Sequence, residues 1–171
     1  MSKVNPTVKT FVDKYYVFAL QTQQKKGISA VAILTQAACE SAWGKSAPGN
    51  NFFGIKDFDG VNGNEQLLTT TEYLATNKAK FPQVISIVWD AAKKLYKYTV
   101  KDYFRAYKTP EECFTDHADF FFRNKRYAKA LLVKSDTDQF IDAIAAAGYA
   151  TDPNYAKTLK TVARMIEAAT H

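Results

Sequence analysis

Ser29-Ala30-Val31-Ala32-Ile33-Leu34-Thr35-Gln36-Ala37-Ala38-Cys39-Glu40-Ser41-Ala42-Trp43-Gly44 carries small or apolar residues at almost every position until a single glutamate interrupts it. Ser29 is a good N-cap and Gly44 a natural stop, so the stretch predicts a helix. A helix apolar nearly all round is one that other elements cover, which makes this the central helix of a helical body. At about 100° per residue, Ile33, Gln36, Ala37 and Trp43 share the face of Glu40. A carboxylate set among apolar neighbours loses hydration, which disfavours the ion and raises its pKa. Glu40 is therefore a candidate general acid.

Working outward, Asn5-Pro6, Thr109-Pro110 and Asp152-Pro153 each place a capping side chain before a proline suited to a first helical turn. The first helix carries Val8, Phe11, Val12, Tyr15, Phe18 and Ala19 at three- and four-residue steps and stops at Gly27. Thr109 and Glu112 fit a capping box, 136–147 closes on Gly148, and 153–169 reads as the last helix. From about 50 to 107 the texture changes. Glycine and asparagine punctuate it, and 67–74 and 96–107 read as strands; in the second, Tyr96, Tyr98, Val100, Phe104 and Ala106 alternate with polar positions. The stretch 81–95 fits a helix or a further strand equally. The expectation is one α+β domain over 1–171. In it a mainly helical body is interrupted once by a small β-rich lobe at about 50–107, with a groove for an extended ligand between lobe and body.

Composition narrows the classes. With 171 residues and 47% hydrophobic content the chain can fill one core, and a second independent domain is not expected. A net charge of +6 suits an anionic partner. No basic arm or helix-turn-helix or zinc-finger spacing points to nucleic acid. Cys39 and Cys113 are far apart and read as two buried thiols; with His117 and His171 they form no metal-ligand spacing, so neither metal nor cofactor is implied. His117 reads as a core or capping histidine. The start, Met1-Ser2-Lys3-Val4-Asn5-Pro6, lacks the apolar core of a signal peptide, and no stretch approaches the roughly 20 apolar residues that cross a bilayer.

Glycosidic cleavage needs one protonated carboxyl at the leaving oxygen and one ionised carboxyl to activate water or steady the cationic transition state. Glu40 fits the first role. Glu65 and Glu72, with Asp57 and Asp59 in the preceding loop, are available for the second, and Glu72 in Thr69-Thr70-Thr71-Glu72-Tyr73 has the polar, strand-like setting that keeps a carboxylate ionised. Residues alone carry the reading no further than a two-carboxylate groove enzyme. A core ion pair at Glu40 and a solvated strand residue at Glu72 fit the same pattern.

Five segments narrow it: 36–48 (Gln-Ala-Ala-Cys-Glu-Ser-Ala-Trp-Gly-Lys-Ser-Ala-Pro), 50–56 (Asn-Asn-Phe-Phe-Gly-Ile-Lys), 104–107 (Phe-Arg-Ala-Tyr), 116–120 (Asp-His-Ala-Asp-Phe) and 147–156 (Ala-Gly-Tyr-Ala-Thr-Asp-Pro-Asn-Tyr-Ala). In this order, over about 29–165, they resemble the motifs of glycoside hydrolase family 73. That family comprises bacterial and phage endo-β-N-acetylglucosaminidases of peptidoglycan, including the wall-cutting domain of the flagellar rod-cap protein. The resemblance implies a lysozyme-like fold, no cofactor, the general acid at Glu40, the second carboxylate at Glu72 and active-site tyrosines at Tyr149 or Tyr155. It further implies hydrolysis of the β-1,4 bond after N-acetylglucosamine, by a monomer acting in the periplasm or extracellular wall. Trp43, Asn51, Phe52, Tyr73 and Arg105 are the expected substrate contacts, with Lys56 and Lys101 as further groove cations. A lytic transglycosylase and a non-catalytic wall-binding module are the alternatives. The chain departs from the pattern in two places: 74–103 is longer than the short hairpin the family leads one to expect, and Cys39 replaces the usual alanine or leucine before the acid.

Overall fold

The computed structural model describes residues 3–171. They fall into two compact units: a helical one, built from the chain up to Phe53 together with Tyr107–His171, and a β unit, Gly54–Ala106.

In the helical unit, α1 (Pro6–Lys26) starts where Asn5 accepts a hydrogen bond from the Thr7 amide and ends at Gly27, whose φ of +76° is a left-handed cap that glycine adopts without a Cβ clash. Next, α2 (Ala30–Glu40) starts at Ser29, whose hydroxyl accepts from the Ala32 amide. Thr109 caps α3 (Pro110–Arg123) by accepting from the Glu112 amide, while the Glu112 carboxylate reaches back to the Lys108 amide. A short α4 (Ala128–Leu131), then α5 (Thr137–Ala146) capped by Asp136, and α6 (Tyr155–Ala169) complete the unit. α2 packs against α1, α5 and α6, and eight of its eleven residues are buried. Leu34, Phe114, Phe121, Phe140, Ile144 and Ile166 fill the core around it, each contributing about 1.5–3 kcal/mol by leaving water. Among the described residues no helix is long and apolar enough to cross a membrane.

At two helix ends the structure differs from the sequence reading. α2 ends at Glu40 rather than Gly44, because Ser41 interrupts it: the Ser41 hydroxyl donates to the Ala37 carbonyl and accepts from the Gly44 amide. Glu40 thus sits at the end of the helix, and Trp43 leaves the face they were expected to share. α6 begins at Tyr155, two residues beyond Pro153, because Asp152 closes a turn by accepting from the Asn154 amide. The open segment 81–95 contains a strand.

The β unit is an antiparallel sheet of β1 (Glu65–Leu74), β2 (Gln83–Asp90) and β3 (Leu95–Arg105) in the order β1-β3-β2. Tyr98, Val100 and Phe104 are buried on the central strand, following the expected alternation. The unit closes on its own ends, since the Arg105 amide donates to the Ile55 carbonyl and Lys56 bridges Phe104. The helical unit closes likewise: the Tyr107 amide donates to the Gly49 carbonyl and the Asn50 side chain to the Tyr107 carbonyl.

Candidate active site

The last turn of α2 meets the segment entering α6. Gln36, one turn before Glu40, is buried; its amide nitrogen donates to the Tyr155 hydroxyl at 3.0 Å and its carbonyl faces His117 Nε2 at 3.0 Å. A carbonyl only accepts, so the proton of the neutral imidazole lies on Nε2. Phe53 stacks on that imidazole at 3.8 Å, and burial pulls the His117 pKa from 6.5 down to about 3. His117 holds Gln36 in place and stays uncharged, a role that sequence reading saw only as a core histidine.

Tyr149 follows Gly148, whose φ of +83° turns the chain out of α5, and lies against Tyr155 with ring centroids 5.5 Å apart. Burial raises the pKa of both phenols; Glu40 adds to the rise in each, and a hydrogen bond with Gln36 opposes it. Both hydroxyls are therefore neutral donors beside the carboxyl of Glu40. Tyr127, behind them, is buried with its hydroxyl unpartnered among the described residues.

Glu40 differs from every other acid in the chain. All sixteen other aspartates and glutamates among the described residues hold an ion pair or accept a hydrogen bond, whereas its carboxyl has neither. Its pKa is raised by desolvation. The sequence placed it inside an apolar helix, but the residue is exposed at the helix end, so the desolvation is partial and one side stays open. Cys39 is also exposed rather than buried, and its thiol is pushed up to about 11, first by desolvation and then by Glu40; Cys113 is buried as expected.

Three residues after Glu40, Trp43 is half-buried with its ring edge-on to Phe11 at 5.6 Å. Ala42, Trp43 and Gly44 have φ of +50°, +60° and +80°, a left-handed run that Ser41 braces at both ends. At Ala42 and Trp43, which carry a Cβ, such strain costs about 1–3 kcal/mol each and persists only where the surroundings enforce it. Two expected substrate contacts are buried. Phe52 is 1% exposed, wedged between Tyr15 and Phe114, and Asn51 is buried beside it.

Within the β unit each candidate second carboxylate is engaged. Glu72 Oε1 accepts from Lys56 Nζ at 2.7 Å, and the same ammonium lies 3.1 Å from Asp102. Glu65 accepts from the amides of Asn62, Gly63 and Asn64, which lower its pKa and make it a loop clasp. Asp57 and Asp59 pair with Arg105 at 3.3 and 3.2 Å, so that expected groove cation is neutralised locally. Lys93 lies 3.6 Å over the Tyr73 ring, covering one of its faces. Among the described residues no group of three or more His, Cys, Asp or Glu is arranged to hold a metal.

Residues 17–168 match the family model described as glucosaminidase, mannosyl-glycoprotein endo-beta-N-acetylglucosaminidase. The chain is 32% identical over 167 residues to the peptidoglycan hydrolase FlgJ of Salmonella typhimurium, covering 94% of this chain and 46% of that protein. It is 29% identical over 164 residues to FlgJ of Pseudomonas aeruginosa, covering 92% of this chain and 36% of that protein. The chain thus spans between a third and a half of those relatives. A solved glycoside hydrolase domain of Salmonella typhimurium FlgJ superposes with a TM-score of 0.69 at 30% identity, covering 94% of this chain and 98% of that one.

Proposed function

This chain belongs to the glucosaminidase family, and we propose that it hydrolyses β-1,4 bonds after N-acetylglucosamine in peptidoglycan, with Glu40 as the general acid. The observation that carries this reading is that Glu40 alone among the described acids has an unclaimed carboxyl, raised in pKa and set beside two neutral phenols. A carboxyl that must hold a proton near neutrality would lose it sooner beside any cation or amide donor, since both favour the anion and lower the pKa. Tyr149 and Tyr155 then donate hydrogen bonds to sugar substituents or to the attacking water, steered by Gln36. Glu72, whose carboxylate pairs with Lys56 at 2.7 Å, takes the second role. Tyr73, by the ring face that Lys93 leaves open, and Arg105, shared with Asp57 and Asp59, are substrate contacts of this reading, and Trp43 meets the glycan away from the reacting bond. On this reading the protein acts in the periplasm or extracellular wall.

Glu40→Gln keeps the shape and removes the acid, so clearing of purified cell walls should fall about 10²–10⁴-fold while the circular dichroism spectrum is unchanged. Retained activity overturns the assignment. Loss on Glu72→Gln supports the second role, whereas little loss moves it to Asp57 or Glu65. Reducing N-acetylglucosamine ends in the digest mean hydrolysis, and anhydromuramic ends mean a lyase.

A further inference from the structure

A cavity of about 380 Å³ opens within the helical unit between the first turns of α1 and the strained turn after Glu40. That volume lies in the range of small-ligand sites. Phe11 and Trp43 wall it edge to face, and Tyr15 lines it from below. Tyr15 is nine-tenths buried, its ring held by Phe11 and Phe52, yet its hydroxyl has no hydrogen-bond partner among the described residues. Lys14 and Lys45 also line the cavity; neither enters an ion pair among the described residues, and the Lys14 ammonium lies 5.1 Å from the Tyr15 ring centre. No acidic residue lines it.

These groups specify a ligand. A half-buried indole offers a flat apolar surface to the face of a pyranose ring, the phenol offers one donor and acceptor, and two unpaired cations with no opposing anion attract a carboxylate. The strained run 42–44 is what presents Trp43 at this position, and strain of that kind is retained where it serves a site. We propose that this cavity is a second glycan-contact site, taking one carboxylate-bearing N-acetylated sugar unit of the wall polymer by stacking on Trp43 and pairing with Lys14 and Lys45. The choice of wall polymer rests on the proposed function; the chemistry of an acidic sugar does not. The carboxylate has two sources, the lactyl group of a muramic acid that carries no peptide stem, or the stem itself where one is amide-linked to that lactyl group.

The test uses the Glu40→Gln protein, which does not consume its ligand, with Trp89→Phe added so that the indole NH signal in the NMR spectrum belongs to Trp43. N-acetylmuramic acid, N-acetylmuramyl-L-alanyl-D-isoglutamine and neutral N-acetylglucosamine are titrated separately. Saturable movement of the indole signal with at least one of the acids, at least fivefold weaker both with N-acetylglucosamine and after Lys14→Ala with Lys45→Ala, supports the proposal. Binding of N-acetylmuramic acid assigns the lactyl carboxylate; binding of the dipeptide derivative alone assigns the stem. Tyr15→Phe, which keeps the ring, should weaken binding about two- to fivefold. No saturation with either acid, equal affinity for the neutral sugar, or indifference to both lysines overturns the proposal. Wall digestion by the unmodified protein is measured separately: its failure overturns the hydrolase reading and leaves the titration result standing.

Discussion

A carboxyl with no partner is held by the fold at some cost, and the sign of that cost can be tested at Glu40. Desolvation raises its pKa in the folded state above the ordinary glutamate value of about 4.3. The folded protein therefore binds a proton here more readily than the unfolded chain, and stability falls as pH rises from the unfolded pKa through the folded one. Glu40→Gln removes that penalty. Its melting temperature should exceed that of the unmodified protein at pH 7, and the gap should close as the buffer is brought to pH 3, where both states are protonated. An equal gap at both values would mean that the gain comes from packing and that Glu40 carries no titration penalty. Activity should follow the same group from the other side, falling as rising pH strips the acid of its proton. His117 works in the opposite direction: it is neutral in the fold with its pKa down near 3, and it contributes stability above its ordinary 6.5 that is lost as pH falls through that interval.

Elements differed in how much of them could be read from local chemistry. The starts of α1, α2, α3 and α5 were legible because a capping side chain and its amide partner lie within three residues of each other. The end of α2 was not, because Ser41 binds backward to Ala37 and forward to Gly44, a choice made by packing. β2 gave no usable period: its side chains are exposed almost throughout, so no buried face imposes alternation. At the site, Glu40 stood out as one charge in an apolar run, and Tyr149 and Tyr155 came from family likeness. Asn51 and Phe52 are buried, which their motif alone does not show, because burial is set by packing partners distant in sequence. Within the β unit the long segment after β1 is pinned by one buried side chain. The Tyr98 hydroxyl donates to the Thr76 carbonyl and accepts from the Ala79 amide, and Phe81 packs on its ring. Tyr98→Phe strands both backbone groups and should cost about 1–3 kcal/mol in urea unfolding, with faster hydrogen exchange at the Ala79 amide. Unchanged exchange there would show that the segment is held by other contacts.

For the molecule as a whole, solubility depends on charge held against an exposed apolar edge. A net charge of +6 keeps copies apart at low salt, because like-charged molecules repel over about a Debye length. Yet β2 is an edge strand reading Gln-Val-Ile-Ser-Ile-Val-Trp-Asp, uncharged along its middle, with Ile85, Val88 and Trp89 more than half exposed. Long, flat, apolar edges pair with other edges, and the bulge between Val84 and Ser86 is the one device here that twists this one away. Salt should therefore promote self-association by screening the repulsion while leaving the edge intact. Val88→Glu puts a charge in the middle of the strand and directly opposite Lys97 on β3, so it interrupts the apolar run and gains a cross-strand ion pair. Light scattering at high salt should show less association than the unmodified protein, with the melting temperature level or slightly higher. If scattering is unchanged while the variant folds, association runs through some surface other than β2.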